Sequence, residues 1–101
     1  MTGGVRRASV RDTAEALRSI SASVAERALR SVVLGPGGCL LSIYRRGGKA
    51  PQIKWTGADG EVYLMYHWRV YAYIVKGIIP PPHGVRRVCP HPQCVNPDHR
   101  R

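Results

Sequence analysis

The stretch 86–101 reads RRVCPHPQCVNPDHRR, and its cysteines and histidines set the terms of the fold. Cys89 and Cys94 are separated by four residues, and His99 follows Cys94 after four more, in a loop broken by Pro90, Pro92 and Pro97. Short loops of this kind bring thiolates and an imidazole onto one tetrahedral ion, as a structural zinc site requires. Three ligands leave one position open. The remaining cysteine, Cys39, follows GPGG at 35–38, and a Cys3His site closed by it clips the middle of the chain to its end. His83 and His91 compete as ligands, and free cysteines also serve simply as small buried hydrophobes. Neither cysteine spacing is C-x-x-C, which disfavours redox chemistry.

Working outward, LLSIY (Leu40 to Tyr44), PQIKW (Pro51 to Trp55) and EVYLMY (Glu61 to Tyr66) are short runs rich in β-branched and aromatic residues. RRGGKA and TGADG separate them, and the pattern predicts an antiparallel meander. HWRVYAYIVK, His67 to Lys76, predicts a helix stopped by Gly77 rather than a continued strand, and IIPPPHG after it an extended connection. Upstream, Val10, Ala14, Leu17, Ile20, Val24, Ala28 and Val32 recur every three or four residues and share one face of an amphipathic helix. Ser9 is its expected N-cap, with Asp12 in the first turn. The serines of SISAS allow a break near Ser21 that would make two helices of one. The expected organisation is a flexible basic segment 1–9, an amphipathic helical segment 10–34 and a zinc-binding unit 35–101. The fold class is α+β: N-terminal helix, small antiparallel meander, helix and zinc-stapled C-terminal loop.

Composition bounds the partners. With 101 residues, a core alone gives little margin, and a metal or an oligomer would help. A second copy packing on the N-terminal helix is one such oligomer. Sixteen Lys plus Arg against six Asp plus Glu give a net charge of +10, which favours a polyanion, above all DNA. Thirteen of those cations are arginine, a choice suited to phosphate and guanine edges and also typical of a GC-rich coding genome. Arg86, Arg87, Arg100 and Arg101 bracket the metal loop, and Arg45, Arg46 and Lys49 fall on the turn after the first strand run, so these are candidate phosphate contacts. No run reaches the length of a membrane span and no signal peptide is evident, so a cytoplasmic protein is expected, in a bacterial host cell if phage-encoded.

The string C-x4-C-V-N-P-D-H, preceded by a Pro-rich segment and by a Cys that opens a strand, resembles the HNH nucleases encoded by phages and the related His-Cys box endonucleases. GGCLLSI, PQIKW, EVYLMYHWR and VYAYIVKGIIPPP are similar to successive pieces of that family, so the resemblance runs from Cys39 to His99. It implies that Cys39, Cys89, Cys94 and His99 hold a structural zinc, that Asn96, Pro97 and Asp98 shape the loop, and that Arg69 is the counterpart of an arginine beside the scissile phosphate. Two departures bear on activity. The family places its general base, a histidine, two residues before the first motif cysteine, where this chain has Arg87, a group unable to accept a proton at neutral pH. The family also continues into a helix carrying a further metal ligand, whereas two residues follow His99 here. His67, His83 and His91 are the possible substitute bases. The expectation is therefore a zinc-binding, DNA-binding protein of HNH ancestry with no catalytic residue, a regulator or accessory factor. An active HNH-like endonuclease with an atypical site and a module that targets a host protein are the alternatives.

Overall fold

The structure is a computed structural model and describes residues 5–7, 13–44, 50–57, 60–81 and 84–101. The expected cap at Ser9 with Asp12, and Val10 of the apolar stripe, lie outside the described residues. The α+β class holds, with its helices and strands short.

The N-terminal helical segment is two helices, α1 (Thr13–Arg18) and α2 (Ala22–Arg30). Serines divide them, because their hydroxyls offer the backbone an alternative to helical bonding. The Ser19 hydroxyl donates back to the Ala16 carbonyl at 2.6 Å, while Ser21 takes extended backbone angles and its hydroxyl accepts the Val24 N–H at 3.3 Å as the N-cap of α2.

Past α2 the expectation of helix through residue 34 gives way. Ser31 closes the helix by donating its hydroxyl to the Arg27 carbonyl at 2.6 Å, and Val32–Leu34 is a strand, β2. Two adjacent valines suit extended backbone, and a partner is at hand. Leu40–Ser42 (β3) pairs with β2 antiparallel, Val33 opposite Leu41. The hairpin turns through Pro36–Gly38, where Gly37 and Gly38 hold positive φ of 65° and 80° that other residues adopt at a cost.

The expected three-run meander is thus divided between two sheets. LLSIY pairs backwards with β2, while Gln52–Thr56 (β4) and Val62–Tyr66 (β5) form a separate antiparallel hairpin. Within the stretch 1–9, Val5–Arg7 (β1) lies parallel to β5, and the other residues of that segment lie outside the described ones. Alternation places Ile53, Trp55, Tyr63 and Met65 on the inner face of the β4–β5 hairpin, where they meet Ala16, Leu17, Ala28 and Val70. Trp55 and Tyr63 stack with ring centroids 5.6 Å apart, and the Trp55 indole N–H donates to Ser19 Oγ at 3.1 Å.

His67–Lys76 is helix α3, as its sequence predicts, and ends at Gly77, which holds φ 65°. At its first residue stands a buried polar junction. The His67 ring is 0% exposed, with Nδ1 2.7 Å from Ser42 Oγ and Nε2 2.9 Å from the Ala28 carbonyl. A carbonyl can only accept, so Nε2 carries the proton and Nδ1 accepts from the serine hydroxyl. One imidazole therefore joins α2, β3 and α3. It belongs to the interior and cannot serve as the substitute base considered from sequence.

Candidate metal centre

The chain end reaches the β2–β3 sheet through backbone pairing. Ser42 N–H donates to the Gln93 carbonyl at 2.9 Å and Val95 N–H to the Leu40 carbonyl at 2.7 Å, so residues 93–95 lie along the free edge of β3. Leu41 then faces Cys94, which brings Cys94 beside Cys39 at the mouth of the hairpin turn. A second pairing closes the loop at its base. Val88 N–H donates to the His99 carbonyl at 2.8 Å, and Arg86 and Arg101 exchange backbone bonds of 2.6 and 2.8 Å.

Within the loop, Asn96 shapes the last turn. Its side-chain oxygen accepts from the Asp98 N–H at 2.9 Å, capping the 3-10 turn Pro97–His99, and its amide donates to the Gly38 carbonyl at 2.9 Å. The turn that carries His99 is thereby tied to the turn that carries Cys39. Lys76, at the end of α3, donates to Asp98 at 2.5 Å, and that contact holds the Asp98 carboxyl below its ordinary range.

These constraints bring Cys39, Cys89, Cys94 and His99 together with all four donor atoms within 4.8 Å of one another. His99 Nδ1 is 3.5 Å from both Cys39 Sγ and Cys94 Sγ. Around a tetrahedral zinc, bonds of ~2.3 Å to sulfur and ~2.0 Å to nitrogen imply a sulfur-to-nitrogen edge of about 3.5 Å. The four side chains could therefore hold a metal ion of that size. The electrostatics fit the same use. Burial, and then the neighbouring Cys94 and Cys89, push the Cys39 thiol up to about 12. Desolvation would also raise Cys89, but its hydrogen bonding with the His91 backbone, His99 and the other thiols brings it down to about 7. Three thiols so close cannot all ionise without a cation among them, and a coordinated cation deprotonates them outright. Among the described residues this is the one such cluster, and neither His91 nor a carboxylate joins it.

The candidate nucleic-acid contacts separate by environment. Arg45, Arg46 and Lys49, with His83, lie outside the described residues. Arg86, Arg87 and Arg101 are exposed. Arg69 and Arg100 are half-buried, and both guanidinium groups sit over the ring of buried Trp68, 4.6 and 4.2 Å from its centroid. Arg69 donates to the Pro80 and Pro81 carbonyls at 3.3 and 3.1 Å, bracing the proline-rich connection. Arg100 donates to the Cys94 carbonyl at 2.9 Å, and Arg87 Nε to the Cys89 carbonyl at 3.0 Å. Burial lowers the Arg100 guanidinium to about 10, with Arg87 and Arg69 near enough to add to the effect and the Cys94 and Cys89 thiols opposing it. Arg87 and Arg100 thus bond the backbones of candidate ligands, while Arg69 shares the Trp68 ring with Arg100. Trp68 as the platform of Arg69 and Arg100, and His67 as a core junction, carry one signal in the sequence: two adjacent aromatic side chains where a strand run meets a helix run.

No described helix is long and apolar enough to cross a membrane. Comparison of the chain with protein-family models, with curated proteins and with solved structures returned no match.

Proposed function

We propose that this chain is a zinc-stapled DNA-binding protein of HNH-nuclease ancestry that grips the phosphate backbone without cleaving it, as a regulator or accessory factor. The observation that carries the reading is Arg87, exposed and bonded to the Cys89 carbonyl beside the Cys3His cluster, in a chain of net charge +10. Arg87 occupies the position of the family's base and is exposed, so this position offers a fixed positive charge in place of a proton acceptor. His67 does not replace the lost base, because both ring nitrogens are bonded within the core.

A gel-shift titration on duplex DNA across a salt series, with Mg²⁺ or Mn²⁺ added in parallel on plasmid, tests this. Binding is expected to weaken steeply with salt, and Arg87→Ala to reduce the logarithmic slope by about one contact. The plasmid is expected to stay intact. No shift at low salt, or metal-dependent cleavage lost in Arg69→Ala, contradicts the proposal. A protein-interaction role is the second reading, favoured by the exposed apolar side chains Val33, Leu34 and Ile43 on and beside the β2–β3 hairpin.

A further inference from the structure

Arg100 is placed unlike the other arginines of the loop. Its guanidinium folds back from the residue after His99, donates to the carbonyl of Cys94 and sits over the ring of buried Trp68. Its Nε–H is buried and has no hydrogen-bond partner. No carboxylate pairs with it: the ion pairs among the described residues are Arg30 with Glu26 and Lys76 with Asp98. Its charged neighbours are Arg87 and Arg69, both of its own sign. A cation withdrawn from water beside two others is costly unless an opposite charge lies near. The groups that can supply one are the Cys94 and Cys89 thiols, within electrostatic range of it.

We infer that Arg100 is the counter-charge of the metal centre, a positioning residue that sets metal affinity rather than a nucleic-acid contact. The inference rests on the reading that the four ligands hold a divalent ion. Three thiolates and a neutral imidazole around such an ion carry one net negative charge, and Arg100 supplies the matching positive one from the ligands' own backbone. It anchors the Cys94 carbonyl at the same time, so charge and geometry act on one ligand. Partners outside the ligand set commonly alter metal affinity by about 10–100-fold when removed. The loop arginines then divide by direction. Arg100 serves the metal, and Arg87, exposed, serves the surface.

The test is zinc affinity of the full chain, measured without DNA by competition with a chromophoric chelator. Arg100→Gln keeps a polar side chain of similar reach and removes the charge; its affinity is expected to fall by about 10–100-fold. Arg100→Lys keeps the charge and should recover most of that loss. Arg69→Gln removes the other guanidinium on Trp68 and should leave zinc affinity unchanged. Cobalt substitution verifies assembly: the thiolate-to-cobalt absorption of each loaded variant should match wild type. Equal affinity for wild type and Arg100→Gln overturns the inference, as does a Lys variant as weak as the Gln one, since packing alone would treat the two alike. A wild-type chain that binds neither zinc nor cobalt overturns the metal reading itself.

Discussion

Cys39→Ser is expected to release any bound metal and, with it, the C-terminal segment 85–101. Cys39 and His99 are 60 residues apart in sequence and meet at the cluster, so an ion held there would close a long loop. Apparent free energies of structural zinc sites, about 10–16 kcal/mol, rival the whole stability of a small domain, roughly 5–15 kcal/mol. Little else holds this region. None of the buried core cluster built on Leu17, Ile53, Trp55, Tyr63 and Val70 comes from residues 85–101. That segment is retained chiefly by its backbone bonds to β3, its internal pairing, Val95 and Arg100. A loss of about 3 kcal/mol or more would lower Tm by at least ~12 °C. Hydrogen exchange should locate the damage. Protection is expected to vanish at Ser42, Val88 and Val95, whose N–H groups make the bonds described above, and to persist at Met65 and in α3. A strong chelator added to wild type should reproduce the pattern. A Cys39→Ser chain that melts like wild type would show that the four residues only pack.

The second large effect is expected at His67. Replacing it by alanine leaves a cavity at a site with 0% exposure and removes the partner of two buried groups, the Ser42 hydroxyl and the Ala28 carbonyl. Cavity formation and the stranded polar groups together should cost about 3–5 kcal/mol. His67 also gives a pH dependence of definite sign. Burial lowers its pKa below the ordinary value of 6.5, outweighing the Ala28 bond that raises it. Above about pH 6.5 the ring is neutral in both folded and unfolded chains and stability is unaffected. As pH falls below that value, the unfolded chain takes up the proton first, and stability declines until the lowered folded pKa is passed. Acid also releases a thiolate-bound metal, so the His67 share is the difference between wild type and His67→Gln across the same titration. Parallel titration curves would remove this role.

Legibility from sequence followed the range of the interactions. The β4–β5 hairpin, α3 and its Gly77 stop were readable because alternation, helical length and turn glycines are local signals. The Ser21 break was readable as one of two options, since a hydroxyl competing for backbone bonds is also local. The Cys3His cluster was readable for a different reason: thiols and imidazoles have few roles, and three of the four lie within eleven residues. What failed was pairing at a distance. Val32–Leu34 continues the helical stripe, and nothing nearby reveals that Leu40–Ser42 will claim it while residues 93–95 cover the other edge of β3. The meander expectation failed with it, because neighbouring runs were assumed to pair in order. His67 and Trp68 escaped for the same reason: their partners, Ala28, Ser42 and Arg100, are brought to them only by the finished fold.

The measurement closest to the central claim is the metal content of the chain purified without chelators, by native mass spectrometry alongside elemental analysis. About one zinc ion per chain is expected, absent from Cys39→Ser. A folded wild-type chain free of any metal, and unable to take up zinc when supplied, would contradict it.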